Sequence, residues 1–128
     1  MRKAIKLLGV GAIGVALLAM PATAFAGDRD VERSGSCSGR SDWKLKLSPE
    51  DGGLEVEFEV DQNIVGDTWR VVVRQNGEVL KRGRRTTQGP SGSFEFRAVG
   101  DNTAGTDTFR ARAVNLSTGE TCVGRASI

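Results

Sequence analysis

The chain has 128 residues, with 18 Lys and Arg against 16 Asp and Glu, two Cys, and neither His nor Tyr. That length suits one folded domain, and the lack of His removes the commonest general base, the commonest zinc ligand and every Ser–His or Cys–His pair. The formal charge of +2 includes Arg2, Lys3 and Lys6; without those three of the 18 basic residues, 15 face 16 acids, a net charge of −1.

Met1–Ala26 reads as a signal peptide. A basic start (MRKAIK) precedes an apolar run from Leu7 to Met20, and Pro21 opens a short end with small residues at Ala24 and Ala26. This is the A-x-A spacing of a signal-peptidase site. Cleavage is expected after Ala26, with Ala24 as the other position that fits. The run is shorter than the about 20 residues that a membrane span needs, and no second apolar stretch follows. The expected location is therefore outside the cell or at its envelope, with no stable membrane insertion after cleavage. Export favours pairing Cys37 with Cys122. Such a bond closes a loop of roughly 86 residues, an entropic gain of about 4–5 kcal/mol before strain is subtracted. The long separation fits a staple better than a redox pair, which is usually C-x-x-C.

Residues 27–41 are polar, with Gly and Ser, and read as a flexible N-terminal lead-in. From Asp42 onward the pattern has period two. Trp43, Leu45 and Leu47 alternate with Lys44, Lys46 and Ser48; Leu54, Val56, Phe58 and Val60 alternate with Glu55, Glu57, Glu59 and Asp61. A strand with apolar residues on one side and acids on the other has one face buried and one wet. A third strand carries Trp69, Val71 and Val73 against Arg70, Val72 and Arg74, and Asn76-Gly77 turns it back through 78–86 as a hairpin. Phe94 and Phe96 mark a fifth strand, Phe109, Ala111 and Ala113 a sixth, and Cys122 lies in a seventh that ends near Ile128. Seven short strands without helical periodicity predict a seven-stranded antiparallel β-sandwich over 42–128, held by one disulfide.

The stretch Gly105–Asn115 (GTDTFRARAVN) resembles the E–F corner and F strand of fibronectin type III and related immunoglobulin-like domains. Trp69–Arg74 is similar to their third strand, which commonly opens on an aromatic and alternates into an Arg before a turn. The chain as a whole resembles small secreted proteins of high-GC, Gram-positive actinobacterial type. The resemblance implies that strands A, B and E form one sheet, and C, C′, F and G the other. The exposed face of the first would carry Glu55, Glu57, Glu59 and Glu95, tempered by Lys44, Lys46 and Arg97. The second would present Arg70, Arg74, Arg110 and Arg112, with either Arg82 and Arg84 or Lys81 and Arg85 beside them.

Seven acids and no base lie between Glu50 and Asp67, whereas six bases and one acid lie between Arg70 and Arg85. Arginine clusters hold phosphate or carboxylate bidentately. The expected function is thus a non-catalytic binding module whose face of Arg70, Arg74, Arg110, Arg112, Arg82 and Arg84 meets a cell-wall polyanion or an extracellular protein. Val72 and Val114 are expected at the surface between those arginines. Without stacking aromatics there, nucleic acid is not expected. An inhibitor of a secreted enzyme, acting through the exposed loop Thr86–Gly92, is one alternative; a carrier of a small ligand is the other. The acids of 61–67 and 101–107 read as turn residues rather than calcium ligands, so no metal, cofactor or catalytic residue is assigned. Val99–Asp107 is the longest expected loop, Ile64 and Val65 are expected to cap the core, and the protein is expected to be a monomer.

Overall fold

Alternation at period two becomes strand wherever one side can be buried, and the chain follows that rule throughout. The computed structural model describes residues 30–128; the expected signal peptide lies outside the described residues. Eight strands follow in order: β1 (Val31–Ser36), β2 (Asp42–Glu50), β3 (Gly53–Asp61), β4 (Thr68–Gln75), β5 (Glu78–Thr86), β6 (Ser93–Asp101), β7 (Thr108–Asn115) and β8 (Thr121–Ser127). They form two four-stranded sheets, ordered β1-β2-β3-β6 and β5-β4-β7-β8, with every neighbouring pair antiparallel. The protein is an all-β sandwich.

The strand count corrects the sequence-based expectation of seven. Val31–Ser36, inside the expected lead-in, pairs with β2 along its whole length, from Val31 opposite Leu47 to Ser36 opposite Asp42. Its sequence, VERSGS, has too little apolar character to announce a strand. What orders it is the free edge of β2, whose unpaired N–H and C=O groups accept any backbone. Gly35 leaves room there for the Trp43 indole, against which a Cβ would stand 2.8 Å away. The β6 strand also runs on to Asp101, so the long loop expected from Val99 shrinks to 102–107.

Both inner faces are apolar. Leu45, Leu47, Leu54, Val56, Phe58 and Val60 of one sheet meet Trp69, Val71, Val73, Phe109, Ala111 and Ala113 of the other, all essentially without solvent exposure. Large rings on both sheets, Phe58 and Phe96 on one and Trp69 and Phe109 on the other, are mixed with the small Ala98, Ala111 and Ala113, which lets the layers interdigitate. The rings of Trp69 and Phe94 lie 5.9 Å apart and those of Trp43 and Phe58 6.3 Å, within the range of favourable aromatic pairs. Asn76 and Gly77 both have positive φ, 50° and 88°, the backbone of a type I′ hairpin whose twist matches its strands.

Cys37 and Cys122 form a disulfide across 85 residues of sequence. It joins the β1–β2 connection to β8, and hence one sheet to the other. The Glu120 carboxylate reinforces this seam by accepting from Gly39 N (3.0 Å), Ser41 N (2.8 Å) and Ser41 Oγ (2.8 Å). Replacing both cysteines with serine is expected to lower the unfolding free energy by about 2–5 kcal/mol, because the open chain regains loop entropy. Urea denaturation of the double variant beside the wild type measures it.

Candidate functional site

The outer face of β5-β4-β7-β8 is set by register. Arg84 of β5 lies opposite Arg70 of β4, which lies opposite Val114 of β7. In the next row Arg82, Val72, Arg112 and Val123 stand side by side, and in the third Arg74, Arg110 and Arg125. All six arginines expected from the sequence thus share one sheet face. Arg125 joins them as a seventh, and the strict alternation of β8, with Cys122, Gly124 and Ala126 turned inward, was the signal that could have found it. Among the described residues none of the seven makes an ion pair. Among the described residues Arg74 is the one of the seven whose guanidinium donates a hydrogen bond, at 3.3 Å to the Gly77 carbonyl in the adjoining turn.

Like charges directly opposite each other in a sheet oppose its stability. Here they occur at Arg70–Arg84, Arg74–Arg110 and Arg110–Arg125 with no acid interposed. The face therefore carries positive charge that no acid compensates among the described residues. Its middle is apolar: Val72, Val114 and Val123 lie among the arginines in register and are half-buried, where the sequence reading had the first two exposed. Among the described residues all Phe side chains are buried and both Trp rings pack with the core, so the face has no aromatic platform.

The β5 strand settles which of its basic residues belong to this face. Lys81 and Arg85 turn the other way and lie over the Phe96 ring, at 4.9 Å and 4.7 Å from its centroid. Gly83 between them keeps the approach open, since a Cβ there would meet Phe96 at 2.9 Å. Lys81 also donates from Nζ to the Arg97 carbonyl at 2.7 Å, closing the side of the sandwich between β5 and β6. These two cations act as a lid on the core, their charged heads held over the Phe96 ring in cation–π contact.

The opposite outer face, of β1-β2-β3-β6, is acidic. Glu32, Lys46, Glu57 and Arg97 form one row; Lys44, Glu59 and Glu95 lie in the next; Asp42 and Asp61 pair at one end and Glu50 and Asp101 flank the other. Its three cations are all engaged. Lys44 lies 3.6 Å from Glu32 and 3.9 Å from Glu59, and Lys46 3.6 Å from Asp30. Arg97 bridges Glu55, Glu57 (3.3 Å) and Glu95 (3.2 Å). Burial pushes the Glu57 carboxyl above its ordinary range, against the pull of Arg97.

Each end of the sandwich is closed by one aspartate. Asp67 accepts from Gln62 Nε2 (2.6 Å) and Asn115 Nδ2 (3.0 Å), and Gln62 Oε1 in turn accepts from the Trp69 indole N–H (3.0 Å). At the other end Asp107 accepts from Thr103 N (3.0 Å) and Oγ1 (2.5 Å), Gln75 Nε2 (3.0 Å) and Asn76 Nδ2 (3.0 Å). Their oxygens serve the chain's own donors. No group of three His, Cys, Asp or Glu side chains converges as a metal site among the described residues.

With Gln62 closing the core over Trp69, Ile64 and Val65 are turned outward, 56% and 59% exposed, which corrects the expectation that they cap the core. The Thr86–Gly92 loop is less free than expected. Thr87 and Gly92 are buried, and the Gly92 carbonyl accepts from Gln62 N and Asn63 N, leaving only Gln88–Ser91 as an exposed tip. Gly92 has φ of 73° and packs on the Asn63–Ile64 backbone so closely that a side chain would collide.

The fold and faces define an all-β sandwich with one disulfide and two outer faces of opposite charge. Among the described residues no helix is long and apolar enough to cross a membrane. Comparison with protein-family models, with curated proteins and with solved structures gives no match.

The end networks make acid stability testable. Hydrogen bonds to Asp67, from Asn115 and then Gln62, and to Asp107, from Thr103 and then Gln75 and Asn76, hold both carboxyls below their ordinary pKa of 3.8. A carboxylate lowered by folding contributes stability above its unfolded pKa and loses it as pH falls through the folded one. Glu57 has the opposite sign, so acidification relieves a cost there. Urea unfolding from about pH 7 to about pH 2 is expected to show stability falling below about pH 4. Asp107→Asn is expected to be less stable at neutral pH and to show a shallower acid slope.

Proposed function

We propose that the protein is a secreted, non-catalytic binding module of immunoglobulin-like or fibronectin type III-like build, which contacts an anionic polymer of the cell envelope through its arginine face. The fold part of this reading is supported by the strand order. With β1 set aside, β2-β3-β6 against β5-β4-β7-β8 corresponds to strands A, B and E against C′, C, F and G. Export is supported by the leader-like segment at residues 1–26 and by the disulfide, which an oxidising compartment preserves.

The observation that carries the binding reading is the set of seven arginines on one face, in like-charge registers and without an ion pair among the described residues. A repeating polyanion would neutralise several rows at once, and Arg forks match its phosphate or carboxylate groups. The half-buried valines at the centre would exclude water from the contact, as the apolar middle of an interface does.

Exposed Ile64 and Val65 at the loop end favour a second reading, an inhibitor of a secreted enzyme that engages its target there together with the tip at Gln88–Ser91. The two readings part on mutation. Arg70→Ser, Arg74→Ser, Arg110→Ser and Arg112→Ser combined are expected to weaken sedimentation with isolated Gram-positive cell walls at least about tenfold, since four exposed charge contacts are lost. Wild-type binding at about 50 mM salt is expected to collapse at about 500 mM, where exposed charges are screened. Ile64→Ser with Val65→Ser leaves wall binding unchanged under the first reading. Wall binding that survives both the arginine changes and high salt refutes the arginine-face reading.

A further inference from the structure

We propose that the protein associates head to tail with further copies of itself, the arginine face of one molecule resting on the carboxylate face of the next. The inference goes beyond polymer binding and does not depend on it. Its origin is a charge balance that no single molecule can satisfy. Among the described residues the arginine face carries seven cations and no acid, whereas the strands of the opposite outer face carry nine carboxylates and three cations, an excess of six before Asp30, the partner of Lys46, is added. All three of those cations already bridge acids of their own molecule. The two faces lie on opposite sides of one sandwich, so the core stands between them. Only a second molecule can bring the opposite charges together.

The geometry suits the contact. Both faces are four-stranded antiparallel sheets, so their charged rows repeat at the same strand spacing of about 4.8 Å. Guanidinium forks of Arg84, Arg70 and Arg112, on the neighbouring strands β5, β4 and β7, can therefore meet carboxylates on successive strands without a change of pitch. Each face also offers apolar surface, the half-buried Val72, Val114 and Val123 on one side and Val99, 70% exposed, on the other. A net charge near zero leaves little long-range repulsion between copies.

The strength and the symmetry of the assembly follow. Four strands of about eight residues span roughly 500 Å² per face, so a full contact buries roughly 1,000 Å², the lower limit for a specific interface. Association is accordingly weak, concentration-dependent and salt-sensitive. Because two different surfaces meet, the contact is heterologous: it has no reason to close on itself as a two-fold dimer would, and it extends as an open stack. Monomers dominate in dilute solution and at high salt.

Sedimentation velocity on the purified protein, over a concentration series at about 20 mM and about 500 mM salt, tests this. At low salt the weight-average sedimentation coefficient is expected to rise continuously with concentration, and at high salt to return to the monomer value. A monomer at every concentration in low salt overturns the proposal, and does so without bearing on cell-wall binding. Two variants address the faces separately: Arg70→Glu with Arg112→Glu breaks the arginine face, and Asp61→Lys with Glu95→Lys breaks the acidic one. Each alone is expected to associate at least about tenfold more weakly than the wild type, because close charge pairs become repulsive. Mixed in equal amounts, they bring one intact arginine face to one intact acidic face, so association returns but stops at the heterodimer. That rescue also shows both variants to be folded. Strong self-association of either variant alone, or a mixture no more associated than its parts, overturns the proposal.

Discussion

Sidedness is the constraint on which the rest of this molecule depends. In a pleated strand successive side chains point to opposite faces, and a slip of one residue would carry every apolar side chain into water and every charge into the core. In β3 such a slip would bury Glu55, Glu57 and Glu59 in place of Val56, Phe58 and Val60, at a desolvation cost far above what the domain could tolerate. Register is therefore fixed by the core, and the outer faces inherit their composition from it. Arg70, Arg84 and Arg112 share a face because Trp69, Gly83 and Ala111 must face inward.

The open ends of a sandwich are its weak points, since the strands stop there while the backbone still needs partners. Two buried or half-buried aspartates and one disulfide resolve this. Asp67 gathers Gln62 from the β3–β4 connection, Asn115 from the end of β7 and, through Gln62, the Trp69 indole at the edge of the core. Asp107 draws Thr103, Gln75 and Asn76 into one cluster beneath the opposite rim. Both carboxylates are turned to hydrogen bonds within the fold. The disulfide adds a covalent link between sheets at the end where β1 leaves its sheet.

Segregated charge follows from the same parity and gives the surface its chemical character. The near-neutral total conceals a cationic sheet and an anionic sheet separated by the thickness of the core. The anionic face has been partly quenched internally, with Arg97 serving three glutamates, whereas among the described residues the cationic face has no such quenching. A sheet that keeps three like-charge neighbours in register without an internal acid forgoes some stability. An external anion, on a polymer or on another copy, would return it.

How much was legible in the sequence depended on the range of the interaction responsible. Local patterns were sufficient for the all-β class, for the alternation of β2 to β4 and β6 to β8, and for the Asn76-Gly77 hairpin, because pleat and turn conformation are properties of a few consecutive residues. The Cys37–Cys122 bond was also legible, since two cysteines allow only one intramolecular pair. The strand at 31–36 was not: its polar residues pair only because β2 offers a free edge, a fact about a neighbour. Neither was the division within β5, where Lys81 and Arg85 cover Phe96 while Arg82 and Arg84 join the outer face, since the edge position and the Phe96 ring come from elsewhere in the chain. Ile64 and Val65 were misread because the sequence could not show that Gln62 would reach Trp69 first. By itself, then, the sequence determined which residues could be inside, through period-two alternation. The tertiary structure alone decided which outward residues became neighbours, because strand pairing joins segments far apart in the chain, and it is those neighbours that make an arginine face.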